Sequence, residues 1–364
     1  MTIPNKQALK SRLKKTITKR LPLFVFLGFI SSFPAQTKIS EFRSSGLDAS
    51  WHPTDPGLVV YSKKGSDKYY DIYLARTDTG FDTCLTCNHP ALPNRHIANM
   101  WWHPGGNWII FVAEKLKHPR GSVDALPGFG AFCDIWIISR DGKKCHKLID
   151  IPNDYDHGVI APKFSPDGKK IIWNDRIKRP SVFNANRHFG YWTVKTADIV
   201  WDKDSVPTAH NIKDLFPGKK FFIEAYGFSP DGTRIICCSN LTTKNAWKQQ
   251  IFSFDSSGNN IIQLTPDSKF YNEHAFYSPD GKKIVWMSNK DNKNKGTDWW
   301  IMNTDGSSKQ RTTFMNDPKH SQYVGKAVWA GMGSFNPSGT KFLGGVQKSL
   351  ITQEGRIVIV ELTQ

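Results

Sequence analysis

Four side chains of this 364-residue sequence combine types that could hold a divalent metal: His96, His157, Glu224 and His274. Neutral imidazole and carboxylate together suit Mn, Zn or Fe. Each residue precedes a proline, at positions 104, 166, 230 and 279, by eight, nine, six and five residues respectively. Arg95, beside the first histidine, is the nearest cation for a ligand bearing a carboxylate, such as a sugar acid or a peptide terminus. Glu273 and Trp329 occupy comparable stretches, so the candidate ligand-binding set is Arg95, His96, His157, Glu224, Glu273, His274 and Trp329. An equally simple expectation is that each polar residue hydrogen-bonds a loop of the neighbouring repeat.

The elements that would position these residues are set by a repeat. Tyr277-Ser278-Pro279-Asp280-Gly281-Lys282-Lys283-Ile284-Val285-Trp286 reads as a strand end, a tight turn and a new strand. Proline presets φ for the turn, and Asp-Gly supplies residues tolerant of positive φ. Near copies run over 164–173, 228–236 and 335–342, with looser ones at 102–111 and 51–61. The six turn prolines, 53, 104, 166, 230, 279 and 337, are 51, 62, 64, 49 and 58 residues apart. Strand-rich units of this size, without helical patterning, predict an all-β fold: a six-bladed β-propeller of four-stranded blades. The spacing exceeds that of a compact blade, so long loops are expected at 115–131, at 180–190 and in an irregular stretch reaching residue 218. The last repeat lacks a fourth strand, whereas residues 37–42 form a strand without a repeat. Their pairing would close the ring and remove two open edges.

In such a ring the segments entering the innermost strands meet around the axis, and that is where His96, His157, Glu224, Glu273, His274 and Trp329 fall. His52 and His103, each before a turn proline, read as structural turn residues. The pairs Trp101/Trp102 and Trp299/Trp300 alternate across a strand, one facing the core and the other an inter-blade space.

Formal net charge is +17, with seven positive charges and no acid in the first twenty residues. The apolar run 21–30 follows this basic segment and is too short to span a bilayer comfortably. Residues 1–35 therefore read as a signal peptide or uncleaved membrane anchor, and 36–364 as the propeller. A periplasmic or secreted location follows, with membrane contact only through the N-terminal segment. The remaining basicity fits a generally basic protein, and no nucleic-acid partner is expected. Of six cysteines, Cys84 and Cys87 form a Cys-x-x-Cys. A haem site fails because Asn88 follows the second cysteine, and a local disulfide or two free thiols is expected. Cys133 and Cys145 could pair across adjacent strands; Cys237 and Cys238 point to opposite faces and should not pair.

The repeated Ser-Pro-Asp-Gly-Lys-Lys-Ile-(Ile/Val)-Trp, with Asn303-Thr304-Asp305-Gly306 further on, resembles the TolB-type β-propeller repeat over about residues 45–362. It is also similar to the propellers of prolyl oligopeptidases and oligogalacturonate lyase. TolB carries an α/β domain before its propeller and the oligopeptidases a hydrolase domain after theirs; a propeller without either is expected here. No Gly-x-Ser-x-Gly nucleophile elbow occurs in the sequence. The TolB likeness implies an exported binding or scaffold module of the cell envelope; a monomer is expected, with an envelope protein or an anionic glycan or peptide as its partner. The lyase likeness implies the alternative, a metal-dependent enzyme acting on a glycan.

Overall fold

The structure, a computed structural model, describes residues 37–216, 220–293, 295–348 and 354–362. The expected signal segment 1–35 lies outside them. The described chain begins with β1 (Lys38–Arg43). The first blade follows as β2 (Ala49–Trp51), β3 (Leu58–Lys64), β4 (Tyr70–Arg76) and β5 (Asp82–Cys84), the second as β6 (Ile97–Trp102), β7 (Trp108–Glu114), β8 (Cys133–Ser139) and β9 (Cys145–Ile149). The third contains β10 (Gly158–Phe164), β11 (Lys170–Lys178), β12 (Tyr191–Trp201) and β13 (Pro207–Phe216). The fourth has β14 (Ile223–Phe228), β15 (Arg234–Ser239), β16 (Gln250–Asp255) and β17 (Ile262–Gln263). The fifth has β18 (Asn272–Tyr277), β19 (Lys283–Ser288), β20 (Asp298–Asn303) and β21 (Gln310–Arg311). The sixth is β22 (Trp329–Phe335), β23 (Lys341–Gln347) and β24 (Gly355–Glu361), completed by β1.

Every blade is a four-stranded antiparallel sheet, and the fold is a six-bladed β-propeller. Its innermost strands β2, β6, β10, β14, β18 and β22 each lie against two neighbours, forming a closed circle about the axis. Closure occurs as the pattern required: Lys38 faces Glu361, Ile39 faces Val360 and Ser40 faces Ile359. The closing strand also reaches both adjacent blades. Arg43 pairs with Asp82 at 3.0 Å, and Gln322 donates to the Thr37 carbonyl at 2.7 Å.

The stretch before residue 218, expected to be irregular, contains strand β13 instead. Its residues are largely exposed and its pairing with β12 slips register twice, so it lacks the alternating apolar signature of a half-buried strand. Cys84 and Cys87 are joined in a disulfide, whereas Cys133 and Cys145 are free thiols, correcting the suggested cross-strand pair. Cys133 and Cys145 sit at opposite ends of their hairpin partners' register, where Cys145 faces Ile138. Trp299 and Trp300 are both buried.

The repeated turn is built by its own side chains. Asp167 accepts from the Ser165 hydroxyl and the Lys169 amide, while Ser165 Oγ accepts from the Lys170 amide. The same network recurs at Ser229/Asp231 and Ser278/Asp280. Turns also stack on one another around the ring. A Cβ added at Gly106 would lie 2.3 Å from His52 Nε2, which bonds the Gly106 carbonyl oxygen at 3.1 Å. His103 meets the Gly168 backbone in the same way. Both histidines are thus structural, joining one blade's turn to the next.

Deleting Lys38–Arg43 would expose the β24 edge and uncover Ile357, Val358 and Val360, which are buried. We expect a loss of roughly 3–5 kcal/mol, measured by urea unfolding. An unchanged midpoint and slope would contradict closure by this strand.

Candidate functional site

Alternation along an inner strand should send successive side chains to opposite faces. Five of the six inner strands break it with a register shift: between Ala98 and Trp101, Ile160 and Lys163, Ala225 and Gly227, Glu273 and Phe276, and Ala330 and Gly333. Asn99, Ala161 and His274 take left-handed backbone conformations at these bulges, with φ of 53°, 50° and 52°. A bulge re-aims the side chains around it. Here that brings ionisable groups of several blades together.

Glu224, Glu273 and His274 place one ligand atom each within 4.8 Å of one another. Glu224 accepts from the Tyr226 hydroxyl at 3.3 Å, and Glu273 accepts from the Tyr271 hydroxyl at 2.7 Å. His274 Nε2 lies 3.8 Å from Glu273 Oε2, and its ring meets Tyr226 edge to face. Burial raises the Glu224 pKa well above the carboxylate range, Glu273 adding to the effect while Tyr226 and Lys163 oppose it. Burial pushes Glu273 up to about 7 against its hydrogen bonds from Tyr271 and Cys238. Burial draws His274 down to about 4, with Lys163 acting the same way and the Ala330 backbone opposing. The imidazole is therefore neutral near pH 7, the form that can act as a metal ligand.

On the turn side of this cluster stands Lys163, 2% exposed. Its Nζ lies 3.4 Å above the centre of the Trp101 ring and 3.4 Å from Met332 Sδ, on the blade across the axis. Burial lowers its pKa to about 7, although Asp48 and Glu224 favour the ammonium. Asp48 in turn accepts from the Asn99 amide and side chain at 3.1 and 3.2 Å. Beyond Lys163 the axis widens into a funnel of about 300 Å³. All six turn prolines line it, together with Trp51, Trp101, Phe164, Tyr226, Phe276 and Phe335.

The four residues expected to share one metal do not meet. Glu224 and His274 converge, with Glu273 as the third member. His96 lies between Tyr69 and Tyr70, accepting from the Tyr70 amide at 3.2 Å. His157 is partly exposed and bonds Asp154 at 2.8 Å. Arg95 stacks on Tyr69, and Trp329 is half-buried at the start of β22. The offsets explain the split. Glu224 and Glu273 stand six residues before their prolines and His274 five, near the bulges, whereas His96 and His157 stand a further two or three residues back. Lys163 and Asp48 were missed, and the signal for Lys163 was a lysine inside an otherwise apolar inner strand, Gly158–Phe164.

No family model matches the chain. It is 24% identical over 226 residues to mouse DNA damage-binding protein 2, covering 58% of this chain and 49% of that protein. The bovine form matches at 21% over 239 residues, covering 63% and 52%. The chain thus spans about half the length of these curated relatives. Among solved structures, TolB from Acinetobacter baumannii superposes on 89% of this chain and 65% of its own, at 16% identity and a TM-score of 0.52. Oligogalacturonate lyase in complex with manganese superposes on 91% and 97%, at 10% identity and a TM-score of 0.52. Prolyl oligopeptidase B from Galerina marginata covers 84% and 38%, at 11% identity and a TM-score of 0.50. These likenesses establish the propeller and leave its function to be argued from the site.

The buried charges give stability a specific pH dependence. Glu273 has a raised folded pKa, so its contribution is full below about 4.5 and is lost as pH rises through about 7. Lys163 has a lowered folded pKa, so its contribution is full above about 10.5 and is lost as pH falls through about 7. His274 acts against Glu273 between about 6.5 and 4, so variants carry the test. Glu273→Gln should flatten the acid arm by up to about 3 kcal/mol and Lys163→Met should flatten the alkaline arm. Superimposable pH profiles from wild type and both variants, in denaturant melts, would contradict the placement.

Proposed function

We propose that this chain is a propeller binding module of the cell envelope, which takes a protruding group of a partner into the funnel on its turn face. The observation carrying this reading is the funnel itself: an apolar, aromatic-walled recess on the axis, formed by all six blades and backed by enclosed charges. Recesses of this size and lining are the usual seats of ligands. The similarity to TolB supports an envelope role, as do the basic-apolar pattern of residues 1–35 and the Cys84–Cys87 disulfide, which suits an oxidising compartment. No helix among the described residues is long and apolar enough to cross a membrane.

A photo-crosslinking residue at Phe228, on the funnel wall, tests the reading in intact cells. The matched control is Ile262, exposed on the outer strand of the same blade. We expect envelope-fraction adducts from position 228 and none from position 262. Equal adducts from both positions, or adducts only with cytoplasmic proteins, would contradict it.

A second reading, a metal-dependent enzyme on an acidic glycan, is favoured by one observation: the Glu224, Glu273 and His274 group. Two carboxylates and a neutral imidazole suit Mn, and also Zn or Fe. Such an ion would supply Lewis-acid polarisation of a bound oxygen. Metal analysis of untagged protein decides between the readings. About one equivalent of divalent metal, lost in Glu224→Gln, supports the second; its absence after reconstitution with Mn, Zn and Fe leaves the first.

A further inference from the structure

Lys163 has three donors to satisfy and is nearly inaccessible to solvent. Among the described residues its Nζ hydrogen-bonds only the Met332 thioether, a weak acceptor, and otherwise lies over the Trp101 ring. Cation–π contact offsets part of the desolvation cost, but no oxygen of the described residues accepts from this ammonium. The two nearby carboxyls are engaged elsewhere: Asp48 accepts from Asn99, and Glu224 accepts from Tyr226. Burial also raises the proton affinity of both, which weakens them as counter-ions. A buried cation facing an aromatic recess without an oxygen partner is half of a recognition site.

The walls indicate the other half. Their polar groups are already used by the turns. Ser165 and Ser278 donate to Asp167 and Asp280, and Ser334 accepts from the Trp51 amide. Asn336 accepts from the Lys341 amide and donates to Ser338, while His52 bonds the Gly106 carbonyl and the Asp55 amide. A saccharide would bring many hydroxyls to walls with few groups left to bond them, which is costly in an enclosed site. An apolar side chain would instead gain contact with Trp101, Phe164, Phe276 and Phe335.

We propose that the funnel receives the C-terminal residue of a partner polypeptide, its apolar side chain against the aromatic wall and its terminal carboxylate on the Lys163 ammonium. This deepens the binding-module reading and rests on it. The carboxylate supplies the missing acceptor as a charge-assisted pair. The groups bearing on the pair are Asp48 and Glu224, with His274 behind them. Binding therefore favours protonated Lys163 and weakens as pH rises through about 7.

The test uses tryptophan fluorescence and calorimetry with three probes: N-acetyl-Ala-Ala-Phe as the free acid, the same peptide as its C-terminal amide, and trigalacturonate. We expect the acid to bind at least about tenfold more tightly than the amide. Lys163→Met should erase that difference while near-UV circular dichroism stays native. In wild type, without any variant, the acid's affinity should fall as pH rises from about 6 to about 8. Equal affinity for acid and amide, in wild type and Lys163→Met alike, would overturn the carboxylate seat and leave the funnel as a binding surface. Preference for trigalacturonate would overturn the occupant. Failure of every probe would overturn this inference, whereas the binding-module reading is decided separately by the crosslinking at Phe228.

Discussion

The axis of this propeller depends on the β-bulge that interrupts five of its six inner strands. Without it, Glu273 and His274 would face opposite sides of β18, as adjacent strand residues do. With it, the two bear on one cluster, and His274 takes a left-handed φ of 52° to do so. Non-glycine residues hold this conformation only where the surroundings over-determine it. The surroundings here are a closed ring. Each inner strand lies against two others, and the turns beyond them are stacked by His52 and His103 on neighbouring glycines. The closing pair β1–β24 therefore bears on the axis as well as on an edge.

Charge arrangement follows from the same geometry. Asp48, Glu224, Glu273, His274 and Lys163 come from four blades or their entering segments, yet they influence one another's ionisation. Enclosure shifts each toward its neutral form, because desolvation outweighs the neighbouring charges. A ligand or ion entering this region meets groups that change protonation near neutral pH. The aromatic funnel lies on one side of Lys163, and the carboxylate–imidazole group lies among the residues nearer the opposite ends of the inner strands.

The fold was legible because its information is local and repeated. Ser-Pro-Asp-Gly specifies a turn through its own hydrogen bonds, and the apolar run after it specifies a strand. The closing strand was legible by counting, since 37–42 and the short last repeat each lacked a partner. Strand β13 was not, because its exposed residues carry no burial periodicity. The site was legible in part. Glu224, Glu273 and His274 stood in the correct segments, but the four-residue metal set assumed that any residue of such a segment reaches the axis. Reach is set by the distance to the bulge, which excludes His96 and His157. Lys163 escaped notice because a lysine in a strand ordinarily faces water, and its burial arises from blades distant in sequence.

Lys163 is an enclosed axial amine without an oxygen partner among the described residues, and its own titration measures that enclosure. Carbon-13 labelling at lysine Cε, with the resonance assigned by its loss in Lys163→Met, reads that titration by NMR. Burial of the amine should give a midpoint near 7, well separated from the surface lysines. A midpoint with the surface lysines, near 10.5, would place the amine in water or against a carboxylate and contradict it.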